Sequence, residues 1–86
     1  MEMIKVSSSS VPVKVAGALT CMLKENKKVI IQVIGAASLN QAIKSIAIAR
    51  GYLIPSGEDL FVIPSFYDLI LNDEIVTSIR LNVELK

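Results

Sequence analysis

The chain has 86 residues, a formal net charge of +1, no histidine and a single cysteine. That length allows one domain and not two. It excludes an internal disulfide, a cysteine-based metal site, histidine metal ligation and the Ser-His and Cys-His nucleophile pairs. Yet 52% of the residues are hydrophobic and the mean hydropathy is +0.58, whereas a domain this small buries only about 60–65% of the surface of its unfolded chain. The surplus points to a subunit interface. It does not point to a membrane: the best apolar run, Val29 to Ile34, is broken by Gln32 and falls far short of the roughly 20 residues of a spanning helix. Glu2 and Lys5 interrupt any secretory pattern, so the expectation is a cytoplasmic protein. The charge is unevenly placed. From Lys5 to Arg50, Lys5, Lys14, Lys24, Lys27, Lys28, Lys44 and Arg50 face one acid, Glu25, whereas six acids and two basic residues follow Gly51. A basic front half can meet phosphate or simply solvate the ends of strands and helices.

Met3 to Val6 reads as a short strand with Ile4 and Val6 on one side. Four serines, Ser7 to Ser10, lead to Val11-Pro12, and Pro at a first helical turn costs no hydrogen bond. A helix is expected from about Pro12 to Lys24, with Val15, Ala16, Leu19, Met22 and Leu23 as its core stripe and Gly17 allowing a close backbone approach. After a polar turn, Val29 to Ile34 has the β-branched character of an inner strand. Gly35-Ala-Ala37 turns the chain, and Ser38 to Gln41 fits a capping box opening a second helix. Leu39, Ala42, Ile43, Ile46 and Ala49 are expected inside, Asn40, Gln41, Lys44, Ser45 and Ile48 outside, and Gly51 at the left-handed stop. Arg50, at the helix end, would complement the helix dipole or pair with an acid such as Glu58. Pro55-Ser-Gly57 is a turn. Leu60 to Phe66 is a strand whose Pro64 suits a sheet edge or a bulge, with Leu69 to Leu71 continuing beyond the kink. Asn72-Asp73 forms a tight hairpin turn. From Ile75 to Leu85, Ile79, Leu81, Val83 and Leu85 alternate with Arg80, Asn82 and Glu84, as in a strand with one wet face.

The order β-α-β-α-β-β, with two right-handed crossovers, gives an α+β two-layer sandwich: a four-stranded mixed sheet in the order 1-2-4-3 with both helices on one face, as one domain over residues 1–86. The adjacent acids Glu58-Asp59 and Asp73-Glu74 point apart in turns, Cys21 sits mid-helix, and neither a metal nor a cofactor site is read. Gly35 to Ser38 resembles an anion-binding helix entrance, although capping alone also accounts for Ser38 and Gln41. Ser7 to Ser10 either donates to phosphates at the first helix entrance or forms a plain loop and cap.

Several strings are distinctive as a set: Val15-Ala-Gly-Ala-Leu19, Ile34-Gly-Ala36, Leu39-Asn-Gln-Ala-Ile-Lys44, Ala47-Ile-Ala-Arg-Gly51, Pro55-Ser-Gly57 with Asp59-Leu60, and Ile63-Pro64 with Phe66. Together they resemble the stage V sporulation protein S family over essentially the whole chain. That family is small, bacterial and linked to sporulation and cell-division control, and is similar in fold to the Alba chromatin proteins, which are nucleic-acid-binding dimers. The missing histidine and the unpaired acids argue against an enzyme, and the resemblance implies a homodimer or homotetramer and a surface for DNA or RNA. Carried onto this sequence, that surface comprises the first loop (Ser8, Ser9, Ser10 and Lys14) and the second helix entrance (Asn40, Gln41 and Lys44). The chain departs from the Alba pattern in two places. Its first loop lacks a lysine pair, and its hairpin carries Asp68, Asp73 and Glu74, so the expected binding is weak and salt-sensitive. Ile48, Phe66, Leu69, Ile70 and Leu71 are the candidate contacts for a second copy or a regulatory protein partner.

Overall fold

The computed structural model describes residues 2–86; Met1, the first residue of the expected domain, lies outside them. The elements are β1 (Glu2–Lys5), α1 (Pro12–Asn26), β2 (Lys28–Val33), α2 (Ala36–Leu53), a 3-10 turn (Ile54–Ser56), β3 (Leu60–Leu71) and β4 (Glu74–Leu85). The sheet order is β1-β2-β4-β3. β1 runs parallel to β2, and β4 is antiparallel to both β2 and β3. This is the mixed sheet expected from the sequence, with β4 in an inner seat.

The register assigns the faces. Val29, Ile31 and Val33 stand opposite Val83, Leu81 and Ile79, and these side chains point toward the helices. All but the partly buried Ile79 are core residues, joined by Val6, Leu60 and, from the helices, Ala16, Leu19, Leu23, Ala42, Ile46, Ala49 and Leu53. The opposite face is mixed, with Ile30, Phe61 and Ile63 beside polar side chains that are cross-linked. Lys28 pairs with Glu84 at 3.5 Å. Asn82 Nδ2 donates to the Ile63 carbonyl at 2.9 Å, and Ser78 Oγ donates to the Tyr67 carbonyl at 2.6 Å. Arg80 lies over the Tyr67 ring, 3.4 Å from its centroid, while its Nε donates to Gln32 Oε1 at 3.1 Å. The wet face of β4 is therefore tied sideways to β3 and β2, with a cation–π contact at its centre.

Several expectations about the helices need correction. α1 runs to Asn26 and closes on Lys27, whose φ of 66° is left-handed, with its N–H donating to the Leu23 carbonyl at 2.8 Å. Gly17 makes no close approach: a Cβ there would meet nothing within 4 Å among the described residues. α2 opens two residues before Ser38, with Gly35 as N-cap and no side-chain cap, so the capping box does not form. Gln41 instead reaches back to the first loop, donating from Nε2 to the Ser10 carbonyl at 2.9 Å. Ser45 is buried rather than outward, because its hydroxyl is satisfied within its own helix by the Gln41 carbonyl at 2.8 Å. Ile43, expected in the core, is 49% exposed, whereas Ile48, expected outside, packs partly against the core. Gly51 is an ordinary helical residue, and the helix continues to Leu53. The left-handed stop falls at Gly57, φ 80°, after the 3-10 turn.

The hairpin also differs from expectation in one respect. Each residue from Leu60 to Leu71 has one partner in β4, so Pro64 causes neither bulge nor break. It is accommodated because β3 is the edge strand. Asn72 and Asp73, with φ of 50° and 64°, form the expected two-residue turn of the kind that matches strand twist.

Arg50 is paired with Asp59 rather than Glu58. The guanidinium binds the carboxylate as a fork, Nε to Oδ1 at 2.7 Å and Nη2 to Oδ2 at 3.1 Å, and Asp59 Oδ1 also accepts the Leu60 N–H at 2.8 Å. The Arg50 hydrogen bond, aided by the Leu60 N–H, lowers the Asp59 pKa to about 2. A carboxyl held below its unfolded value stabilises the fold above that unfolded value. The contribution is lost as the pH falls through the folded one.

Two predictions follow from these positions. Gly57→Ala forces a side chain into the left-handed region and destabilises by about 1–2 kcal/mol, whereas Gly51→Ala, in an open helical position, stabilises by about 0.5–1 kcal/mol; urea midpoints should move in opposite directions. In acid titrations of stability, the wild-type chain loses ground as the pH falls from about 4 toward 2. Asp59→Asn, which cannot ionise, should show a shallower decline over the same interval.

Candidate nucleic-acid interface

Both helices spring from the carboxyl ends of the parallel neighbours β1 and β2, so both helix N-termini open at one end of the sheet. Neither has a side-chain cap, and neither has an acidic residue in its first turn. At α1, Pro12 removes one of the unpaired donors. At α2 the first N–H to bond back is that of Leu39, to the Gly35 carbonyl at 3.1 Å. The amides of Gly35, Ala36, Ala37 and Ser38 therefore lack partners within the helix. Two partial positive charges lie at this end, together with the exposed Lys5 and Lys14, while Lys44 is exposed midway along α2.

The first loop is built from serine contacts. The Ser7 N–H donates to Ser10 Oγ at 2.9 Å, and the Ser10 N–H donates to the Ser7 carbonyl at 3.1 Å. The Ser7 and Ser9 hydroxyls meet at 3.1 Å. Ser8 and Ser9 stand exposed at the turn, and Ser10 is half-buried. The Gln41 bond to Ser10 fastens this loop to α2. The candidates from the first loop and the second helix entrance are thus joined at one end, with Asn40 and Lys44 exposed on either side of Gln41 in sequence. The amide N–H of Gln41 is engaged in holding the loop.

The candidate contact residues are spread over three places. Phe66 and Ile70 share the helix-side face of the hairpin, since they stand opposite Ile79 and Ile75. Leu69 and Leu71 point to the other face, and Ile48 lies half-buried on α2. The helix-side group is the most exposed: Phe66 is 79%, Ile70 77% and Ile75 75% accessible. Below Phe66 an apolar cleft of about 320 Å³ is lined by Val33, Gly35, Ala36, Leu39, Thr77 and Ile79. Sequence reading missed Ile75 and this cleft, because β4 alternation was read as wholly inward from Ile79 on. The signal was present, since Ile75 shares parity with Ile79. Among the described residues no three His, Cys, Asp or Glu side chains are grouped to hold a metal ion, and no helix is long and apolar enough to cross a membrane.

These features define an α+β domain of the Alba type. Alba from Thermoplasma volcanium superposes with a TM-score of 0.65 over 96% of this chain and 99% of its own, at 20% identity. The chain belongs to the family of stage V sporulation protein S, whose family model matches residues 2–86.

Proposed function

We propose that the protein is a non-enzymatic cytoplasmic regulator of sporulation or cell division that self-associates and binds nucleic acid weakly and without sequence preference. The observation that carries this reading is the pair of uncapped helix N-termini that open at one end of the sheet, neither with an acid in its first turn, with Lys14 exposed in the first turn of α1 and Lys44 exposed further along α2. Lys14 and Lys44 contact phosphates; Ser8, Ser9 and Asn40 set position; and Gln41, through Ser10, holds the loop in place. The Alba-type fold and the family membership support the same reading. The exposed Phe66, Ile70 and Ile75 supply the apolar area that a homodimer or homotetramer would cover. A two-fold axis then doubles the cationic surface. Asp68, Asp73 and Glu74 on the hairpin oppose phosphate and keep the affinity low.

Binding of the full chain to a labelled duplex and to single-stranded RNA, measured between about 50 and 200 mM salt, tests this directly. Lys14→Ala and Lys44→Ala should each weaken binding to all sequences alike and reduce the salt slope by about one. Failure to bind either nucleic acid at high micromolar protein in low salt overturns the reading.

A second reading is a protein-interaction module that binds no nucleic acid. It is favoured by the cross-strand pair Ile70–Ile75, apolar and three-quarters exposed near an acidic hairpin tip. Ile70→Asp separates self-association from docking of another protein. A fall in oligomeric mass by light scattering marks Ile70 as a contact between copies. An unchanged mass with loss of a co-purifying partner marks it as a docking site, and no change in either removes Ile70 from both roles.

A further inference from the structure

A second cleft lies over the carboxyl ends of β1 and β2, where ligands collect in sheets with parallel strands. It measures about 210 Å³ and is lined by Lys5, Val6, Ser7, Gln32, Ile34 and Ser38. Two of its polar side chains are more than nine-tenths buried: Gln32 is 7% and Ser38 8% exposed. Each keeps unused hydrogen-bonding capacity. Arginine has donors only, so the Arg80 contact turns Gln32 Oε1 toward Arg80 and leaves the Nε2 donors facing away from it. Ser38 Oγ bonds to no described residue, yet no polar side-chain atom among these residues is both fully enclosed and unpartnered. Ser38 Oγ and the Gln32 Nε2 group therefore each keep some accessible surface, and both residues line the cleft.

The rest of the site has the same sign. Lys5 contributes an ammonium group, and Ser38, itself in the first turn of α2, adds its own unpaired backbone N–H. No carboxylate lines the cleft. Hydroxyl, amide N–H, ammonium and backbone N–H donors around a small volume describe a receptor for a compact oxyanion. The volume is below the roughly 300–1,000 Å³ of sites for drug-sized ligands, so a nucleotide does not fit inside.

We propose that this cleft binds a single phosphate group, free or at the end of a small phosphomonoester. Ser38 and Gln32 are its buried donors, and Lys5 is its counter-charge. Gln32 links the site to the open face of the sheet through Arg80 and the Tyr67 ring beneath it. The site is separate from the proposed nucleic-acid contacts at Lys14 and Lys44 and stands whether or not those bind.

The test is an amide chemical-shift titration of the full chain with sodium phosphate, and in parallel with glycerol 3-phosphate, each against sodium chloride at matched ionic strength. Phosphate should move the Gly35 to Ser38 resonances along a saturating curve that chloride does not reproduce. Tighter binding of glycerol 3-phosphate assigns the site to phosphomonoesters, and equal binding assigns it to the free anion. Ser38→Ala should weaken phosphate binding by about tenfold or more, the loss of one hydrogen bond to a charged group. Gln32→Glu can still accept from Arg80, so the fold is retained, but it places a negative charge in the cleft and should abolish saturation. Linear shifts equal to those of chloride, or an unchanged phosphate affinity in either variant, overturn the proposal.

Discussion

Parallel pairing of β1 with β2, from Glu2 opposite Val29 to Lys5 opposite Gln32, governs the arrangement of everything functional in this molecule. Parallel neighbours require a crossover, and the crossover is α1. The same pairing puts the exits of β1 and β2 side by side, so α1 and α2 begin at one end of the sheet and their dipoles add there. Had the first two strands formed a hairpin, the two helix N-termini would not share this end. The Ser7–Ser10 loop and the phosphate cleft both occupy the gap that this geometry leaves above the strand ends.

The hairpin follows a different logic. β3 and β4 are each twelve residues long, whereas β2 has six, so the part beyond Val33 and its partner Ile79 extends past the body of the sheet. Helix-side residues there, Phe66, Ile70 and Ile75, have strand parity that aims them at a core that has already ended. The most exposed of the large apolar side chains are at this overhang. Elsewhere polar side chains are satisfied within the chain, as in Ser45 to Gln41, Ser78 to Tyr67 and Asn82 to Ile63.

The sequence made the architecture legible because its strongest signals were periodic. Ala16, Leu19 and Leu23 at helical spacing, the β-branched run of β2 and the alternation of β4 each point to one element with one buried face, and the two-residue turn at Asn72-Asp73 set the hairpin register. What stayed hidden depended on contacts between distant residues. Ser38 and Gln41 fit a local capping pattern, but a glycine at position 35 opened the helix earlier and freed Gln41 to reach Ser10, thirty-one residues away. Gly51 resembled a stop because glycine often ends helices, yet Leu53 still had core to fill and drew the helix onward. The phosphate cleft could be glimpsed only as Gln32, a polar residue in an otherwise apolar strand; its partner Arg80 lies forty-eight residues further on.

The seating of β4 between β2 and β3 has a consequence for how the chain is made. The strand that comes last in this sheet's chain order takes an inner place in it. While the chain is being synthesised, one flank of β2 can zip onto β1, but its other flank stays bare until residues 74–85 emerge. The β3–β4 ribbon closes over a two-residue loop and can assemble at once, at little cost in chain entropy. It then docks as a finished unit onto a waiting edge. Until that moment a nascent chain offers its most β-prone strand to any neighbouring copy on the same polysome.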